Sequence, residues 1–257
     1  MISKLVKFPI LKRVIPSFTI RFLKLINKNR RYFKINEFKM FLDFLDPIDR
    51  EIILNQEFEK QEINFLVNQI KYNNINYFID VGANCGYYSL KISKEIPSIK
   101  ILAFEPNIEA YSKFLKSLEK NINLSKKITL ENFGLSNKLA KLKMQSKIKF
   151  GYAQTGGTTI ISKNENTKNF TFFAHFKIAD SFIKLIKEKI AIKIDVEGHE
   201  LNVLQGMRDI IEKNKCVLQI EVFQKNYDEL NKFLISLGYK KTYEVKDRSN
   251  YFYNNFN

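Results

Sequence analysis

Several residue types are scarce in this chain of 257 residues, and each scarcity excludes a class of protein. With 9 glycines and 5 prolines, the chain is neither collagen-like nor of low complexity. Its 2 cysteines, Cys85 and Cys216, cannot form a disulfide framework, which favours a reducing compartment. Near the N-terminus the longest stretch without charge covers residues 14–20 and contains Pro16. We therefore expect neither a membrane-spanning helix nor a secretory signal.

Basic residues, by contrast, are in excess, and the excess is uneven. The 43 Lys and Arg against 27 Asp and Glu give a net charge of +16. Residues 1–40 carry +10 of this charge, from 7 lysines and 4 arginines against one acid, which leaves +6 for residues 41–257. A basic excess often indicates nucleic acid as a partner. Because most of the charge lies away from the motifs described below, we expect no nucleic-acid partner.

Residues 1–40 are predicted to form a basic, aromatic-rich arm with a helix over residues 17–26. The apolar residues of that helix recur at the spacing of one face: Phe18, Phe22, Leu25 and Ile26. Two interpretations stay open. In the first, the arm lies on an anionic membrane surface, so that the protein, which we expect to be cytoplasmic, is peripheral at the inner face of the membrane. Alternatively, the helix packs on the protein and the lysines reflect composition.

Farther along the chain, apolar strand patterns alternate with helix patterns. Strands are predicted at residues 77–81, 101–104, 128–133, 191–196 and 217–223. Helices are predicted at residues 57–72, 87–95, 108–120, 200–207 and 227–237, followed by a hairpin over 239–245 and 251–256. This alternation predicts an α/β fold with a doubly wound, mostly parallel sheet of the seven-stranded type. We divide the chain into residues 1–72, the arm and helices, and a domain over 73–257, with an insertion of short strands and loops at about 136–176.

The first chemical motif is a glycine-bounded turn between a strand and a helix: Asp80-Val81-Gly82-Ala83-Asn84-Cys85-Gly86. Glycine permits a tight turn and a close approach of the backbone to a ligand. The helix that follows leaves amide groups unpaired at its start, which favours a carboxylate or phosphate. Glu105 ends the next strand, where an acid can accept hydrogen bonds from a ribose. A dinucleotide dehydrogenase needs G-x-G-x-x-G at this turn, and Asn84 stands at the central glycine. The spacing therefore favours S-adenosylmethionine over NAD.

The second motif follows the fourth strand: Lys193-Ile194-Asp195-Val196-Glu197-Gly198-His199-Glu200. Asp195 and Glu197 are expected at the same sheet edge as Glu105, and Glu221 is expected to join them. Such a group of carboxylates and an imidazole could bind a metal, remove a proton or hold sugar hydroxyls. For Glu200 we favour the simpler role of stabilising a helix dipole.

Together these motifs resemble those of the FkbM-type methyltransferases. The resemblance rests on the turn, on Phe104-Glu105-Pro106-Asn107, on Gly134-Leu135-Ser136-Asn137, on the second motif with Leu201, and on Val203-Leu204-Gln205-Gly206. It covers residues 77–223. Ile178-Ala179-Asp180 stands where members more often have Thr-Leu-Asp, and residues 1–70 hold no matching motif.

The resemblance implies a class I S-adenosylmethionine-dependent O-methyltransferase that acts on sugar hydroxyls of glycans or on polyketide-type products. Polysaccharide modification, with a sugar or glycan acceptor that is free or lipid-linked, is the expectation. The alternatives are another small-molecule or nucleic-acid acceptor, or a non-catalytic nucleoside-binding protein. Acceptor specificity is expected in the insertion.

Roles for the site residues follow from this expectation. The residues predicted to bind the methionine part of the cofactor are Asp80, Gly82, Ala83, Asn84 and Gly86. Glu105 is predicted to bind its ribose and Asn132 its adenine. His199 is predicted to be the catalytic base, because its ordinary pKa of about 6.5 leaves it mostly neutral at pH 7, with Asp195 or Glu197 orienting it or the acceptor. No metal is predicted, although a divalent ion stays an alternative.

Overall fold

A computed structural model describes residues 29–149, 151–162 and 167–256. The helix predicted over residues 17–26 lies outside these ranges. In chain order the strands are β1 (Arg30–Ile35), β2 (Phe38–Asp43), β3 (Tyr77–Val81), β4 (Lys100–Phe104), β5 (Ile128–Glu131), β6 (Gly134–Leu135), β7 (Ala140–Ser146), β8 (Ile148–Lys149), β9 (Tyr152–Ala153), β10 (Thr159–Ile160), β11 (Phe170–Lys177), β12 (Lys189–Ile194), β13 (Lys215–Glu221), β14 (Lys240–Val245) and β15 (Asn250–Asn254). The helices are α1 (Pro47–Asn55), α2 (Lys60–Tyr72), α3 (Tyr87–Glu95), α4 (Ile108–Glu119), α5 (Ile122–Ser125), α6 (Ala179–Phe182), α7 (Glu200–Gly206), α8 (Arg208–Lys213) and α9 (Gln224–Ser236).

A seven-stranded sheet in the order β14-β15-β13-β12-β3-β4-β5 forms the centre of the molecule. The five strands from β13 to β5 run parallel, and β14 and β15 are antiparallel. Strands such as β12 and β13 are apolar and buried along most of their length, because helices cover both faces of the sheet. The chain leaves β3 toward β4 on one side and reaches β12 on the other. Ligands bind at such switch points, beyond the carboxyl ends of the strands.

The predicted strand at residues 128–133 is too long at its carboxyl end. β5 ends at Glu131, because the chain turns there and buries Phe133 against the ring of Phe104, 5.5 Å away. The helix α8 was not predicted. It follows α7 directly, after a break at Met207.

Residues 30–43 correct the prediction of an arm. They form the antiparallel hairpin β1–β2, which packs on α4 and buries Ile35, Met40 and Leu42. Alternate apolar residues of β2 face inward, as period-two patterning requires. The hairpin and α2 share one hydrophobic core with the sheet, so the described part of residues 1–72 does not form a separately packed unit.

The insertion forms a second sheet of four strands in the order β10-β7-β11-β6. Strands were predicted here, but β7 and β11 pair over seven positions and are longer than expected. Among the described residues, no helix has both the length and the hydropathy needed to cross a bilayer.

Candidate active site

The turn after β3 has three left-handed residues within five positions. Gly82, Asn84 and Gly86 have φ angles of 81°, 48° and 83°. A Cβ atom on Gly82 would lie 1.9 Å from the carbonyl oxygen of Asp195, and one on Gly86 would lie 2.1 Å from the Phe114 ring. The predicted turn is present. Gly82 and Gly86 are required there both by the left-handed backbone and by close contacts inside the protein.

Glu105, which follows β4, is fixed against this turn. Its Oε2 accepts a hydrogen bond from the amide of Asn84 at 2.8 Å, and its Oε1 accepts one from the amide of Asn107 at 2.8 Å. Burial raises the pKa of Glu105 to about 7, although both amides act in the opposite direction. Each carboxylate oxygen keeps a second lone pair, so Glu105 can still accept hydrogen bonds from a ligand.

Three other residues predicted to hold the cofactor differ in their placement. Asp80 is fully buried, and its Oδ2 accepts a hydrogen bond from Ser89 Oγ at 2.6 Å. Its Oδ1 meets no donor among the described residues. Ala83 is also buried. Asn132 is exposed, and its Nδ2 donates to the carbonyl oxygen of Glu105 at 2.8 Å, so this side chain is engaged with the backbone.

The second motif lies at the same edge, beyond β12. Asp195 Oδ2 accepts a hydrogen bond from Lys193 Nζ at 2.9 Å. Glu197 and Gly198, with φ of 54° and 102°, then turn the chain toward α7. Burial, followed by the negative charges of Asp195 and Glu200, raises the pKa of Glu197 to about 7.

His199 precedes α7 and is half-buried at this edge. Its Nε2 lies 2.9 Å from Ser136 Oγ, and its ring meets Phe176 edge-on at 5.8 Å. Burial, together with the positive charge of Lys138, lowers the pKa of His199 to about 4. The imidazole is therefore neutral at pH 7, but it is a weaker base than an unperturbed histidine.

One cleft with about 630 Å³ of empty volume, part of it open to solvent, brings these residues together. The ionisable side chains in its lining are Glu105, Asp195, Glu197 and His199. The insertion and the segment before it form a largely apolar wall of the cleft. The residues of this wall were not predicted from the sequence: Gly134, Leu135, Met144, Ile160 and Phe176.

A smaller pocket with about 360 Å³ of empty volume shares Gly82, Asn84 and Asp195 with the cleft. Its lining also includes Lys193 and Tyr88, for which the sequence predicted no role. Lys193 is buried, with Nζ 4.9 Å from the centre of the Tyr88 ring. Burial alone would lower the pKa of Lys193, but Asp195 and the other carboxylates nearby raise it above its ordinary value. The sequence feature that could have indicated Lys193 as a site residue is its position inside an otherwise apolar strand.

Glu221, at the end of β13, joins this acidic edge as predicted. Burial raises its pKa to about 8, and the negative charges of Asp195 and Glu59 act in the same direction. Within residues 29–149, 151–162 and 167–256, no three His, Cys, Asp or Glu side chains converge as metal ligands would.

Comparison with known proteins gives one family and several relatives. The profile of the family described as "Methyltransferase FkbM domain" matches residues 80–241. Methyltransferase 1 of Beauveria bassiana (strain ARSEF 2860) is 24% identical over 153 residues, which cover 52% of this chain and 59% of that protein. Methyltransferase sdnD of Sordaria araneosa is 27% identical over 161 residues, which cover 51% and 60%. The match therefore spans less than two thirds of either relative.

A solved structure extends the comparison to the fold. It is a Staphylococcus aureus protein assigned as a caffeoyl-CoA O-methyltransferase, which superposes with a TM-score of 0.51 at 8% identity. The superposition covers 94% of this chain and 98% of that one. At this identity the likeness concerns the fold alone, and it confirms the predicted Rossmann-like α/β architecture.

Proposed function

Because this chain belongs to the family of methyltransferase FkbM domains, we propose that it transfers the methyl group of S-adenosylmethionine to a hydroxyl of a sugar in a glycan or glycolipid. The observation that carries this proposal is a pair of acids, Glu105 and Glu197, that line one cleft. Each has its pKa raised to about 7. In this proposal Glu105 accepts hydrogen bonds from a ribose, and Glu197 takes a proton from an acceptor hydroxyl.

The residues near the glycine turn fit S-adenosylmethionine. Asn84 Oδ1 is buried and meets no donor among the described residues, so the amino group of the methionine part would satisfy it. Glu105 would accept from the ribose hydroxyls. When bound, the cofactor supplies a methyl carbon on a positively charged sulfur, and the acidic lining of the cleft favours that charge.

The remaining cofactor residues have narrower roles in this proposal. Gly82, Ala83 and Gly86 shape the turn, and Asp80 supplies an unpaired buried oxygen beside the smaller pocket. Asn132 is proposed to meet the adenine, for which its side chain must leave the carbonyl oxygen of Glu105.

Glu197, rather than His199, is the base that we propose. A carboxyl group with a pKa of about 7 is half ionised at neutral pH and matches the task of a general base. His199 has a pKa of about 4, and its Nε2 is already engaged with Ser136. His199 then orients the acceptor, and Asp195, held by Lys193, accepts hydrogen bonds from neighbouring hydroxyls.

Methyl transfer also needs close positioning. Glu197 would take the proton of the acceptor hydroxyl, and the bound cofactor would supply the methyl group, its C–S bond breaking as the C–O bond forms. Holding the reacting atoms about 3 Å apart would supply roughly 7–11 kcal/mol. The apolar wall from Met144 and Phe176 faces the same cleft. The presence of acids and apolar side chains in one cleft supports an acceptor that presents both hydroxyls and apolar surface.

Calorimetric titration with S-adenosylmethionine and with S-adenosylhomocysteine tests the cofactor assignment. We expect one site for each ligand, and no measurable heat would contradict the proposal.

We propose that the protein is cytoplasmic and that residues 1–40 contact an anionic membrane face. Residues 1–28 of this arm lie outside the described ranges. In the described part, Arg30 already pairs with Asp43 and Glu109. Flotation with anionic and neutral vesicles, with and without residues 1–28, tests the contact; equal flotation of both proteins would contradict it.

A further inference from the structure

Residues 155–158 of the insertion form a part of the cleft wall that reaches Glu197, and we call them the roof loop. All four line the cleft. Gly157 lies beside Glu197: a Cβ atom there would be 3.8 Å from Glu197 Oε1, and its backbone amide lowers the pKa of that carboxyl. Gly156 packs so closely on α1 that a Cβ atom there would lie 2.4 Å from Ile48 Cδ1. The roof loop therefore connects α1 to the proposed base.

A buried charged cluster holds the first residue of the roof loop. Asp46 Oδ2 accepts hydrogen bonds from the amide of Thr155 at 2.8 Å and from its hydroxyl at 2.9 Å. Lys113 Nζ donates to the same hydroxyl at 2.9 Å and to Asp49 Oδ2 at 2.7 Å. Thr155 Oγ1 thus donates and accepts at once, which a hydroxyl can do and a methyl group cannot.

The last residue of the roof loop is held as well. Thr158 Oγ1 lies 2.9 Å from Ser146 Oγ and accepts from Asn107 Nδ2 at 3.3 Å. Asn107 also caps α4, and its amide holds Glu105. Both ends of the roof loop are therefore fixed to elements that carry the site.

Burial of this charged cluster costs desolvation free energy. Asp46, Lys113 and Asp49 are 4%, 5% and 0% exposed, and buried ion pairs recover their desolvation cost only with good geometry and further hydrogen bonds. Burial raises the pKa of Asp46, but Lys113 and the hydrogen bonds from Thr155 outweigh it and lower the pKa below its ordinary value. Asp46 is therefore ionised at neutral pH and remains a strong acceptor for Thr155.

From this geometry we infer that Thr155, held by Asp46 and Lys113, is a positioning residue that keeps the Gly157 amide on the carboxylate of Glu197. The inference rests on the proposed role of Glu197 as the base. It adds that the insertion orients this base, besides forming a wall for the acceptor.

The titration of Glu197 reports on this contact. The charged groups that act on Glu197 are Asp195, Glu200, Glu221 and Lys147. The three acids raise its pKa, and Lys147 and the Gly157 amide lower it. Among the described residues the hydrogen-bond partners of Thr155 are Asp46, Lys113 and Thr158. Loss of its hydroxyl should therefore act on Glu197 through the amide of Gly157 and raise the pKa of Glu197 above about 7.

Three variants separate this role from general stability. Thr155→Val removes the hydroxyl but keeps the shape and the backbone amide. Thr155→Ser keeps the hydroxyl. The matched control is Thr159→Val, four residues along, whose hydroxyl accepts from Gln145 at 3.5 Å and is absent from the cleft lining.

Hydrogen exchange of residues 155–158 in the protein without ligand is the first measurement. We expect at least about tenfold faster exchange in Thr155→Val, because two hydrogen bonds that involve charged partners are lost. Thr155→Ser and Thr159→Val should exchange as the wild type does. Unchanged exchange in Thr155→Val would overturn the inference, and Thr155→Ala provides the same readout if the valine variant does not fold.

Titration of the Glu197 carboxyl by ¹³C NMR, assigned with Glu197→Gln, is the second measurement. A raised pKa in Thr155→Val, restored in Thr155→Ser, supports the inference. Faster exchange with an unchanged Glu197 titration would overturn it, because the roof loop would then be held without orienting the base. Neither measurement needs cofactor or acceptor, so failure to bind S-adenosylmethionine would count against the proposed function and leave this inference decidable.

Discussion

The carboxylate of Glu105 accepts a hydrogen bond from the amide of Asn84 at 2.8 Å, across two neighbouring strands. Glu105 follows β4, and Asn84 lies in the turn after β3. The bond therefore fixes the acid and the turn relative to each other in the protein without ligand. Preorganisation of this kind reduces the ordering that binding must supply.

Replacing Glu105 by Gln should weaken binding of S-adenosylmethionine by about 10–150-fold, since hydrogen bonds to charged groups contribute about 1.5–3 kcal/mol. Calorimetry measures the change. Glu109→Gln is the matched control, because this acid lies two residues after Asn107 on α4 and pairs with the partly exposed Arg30. Equal affinity of the Glu105 variant and the wild type would remove Glu105 from the cofactor site.

The buried acids make stability depend on pH. Asp49, Glu105, Glu197 and Glu221 have pKa values raised to about 6, 7, 7 and 8, whereas an unfolded chain has carboxyl pKa values of about 4. Between about pH 5 and 8 the folded protein therefore binds more protons than the unfolded chain, so stability falls as pH rises.

Scanning calorimetry without ligand checks this sign: Tm should decrease from pH 5 to pH 8, with a shallower slope in Glu105→Gln. Asp46, whose pKa is lowered, acts oppositely, but below this window. His199, whose pKa is lowered to about 4, acts oppositely only in the lower half of the window, where the four acids outweigh one histidine. A Tm that rises with pH across the window would show that the four acids are not held protonated by burial.

Substitutions of the two candidate bases should differ in effect. Glu197→Gln is expected to lower kcat by about 10²–10⁴-fold, the usual contribution of a placed base, and to leave affinity for S-adenosylmethionine nearly unchanged. His199→Gln should lower kcat less than about tenfold, since its pKa of about 4 makes it a weak base. Turnover is measured with glycans from cells that lack the gene, with exposed Glu229→Gln as control. A larger loss with His199→Gln would restore histidine as the base.

Gly86 should resist substitution for two physical reasons. An alanine there would have φ of 83° and a Cβ atom 2.1 Å from the Phe114 ring, so we expect a loss of about 2–4 kcal/mol in the free energy of unfolding. Gly238→Ala is the control: its φ is 81°, but no heavy atom lies within 4 Å of the added Cβ, so strain alone should cost about 1–2 kcal/mol. Denaturant unfolding compares the two, and equal losses would show that the Phe114 contact relaxes freely.

The sequence predicted the features of this molecule that depend on local pattern. β3 and α3 have the predicted bounds, because apolar runs and glycines set them over a few residues. Glu105 was placed by its register after β4. The period-two pattern of Phe38, Met40 and Leu42 was also present, but Lys39 and the many basic residues before it favoured interpretation as an arm.

Features that depend on distant contacts could not be predicted. Thr155 meets Lys113 across 42 positions and Asp46 across 109, and no local pattern records such a pairing. The weak basicity of His199 has the same origin, because burial beside Phe176 and the charge of Lys138 arise only on folding.

Sugar methylation is tested most directly by mass spectrometry of glycans from cells with the gene, without it, and complemented with wild type or Glu197→Gln. We predict that deletion removes a mass increment of one CH₂ unit from a sugar residue. Wild type should restore this increment, and Glu197→Gln should not. Identical glycan methylation with and without the gene would contradict the proposal that this protein methylates a sugar.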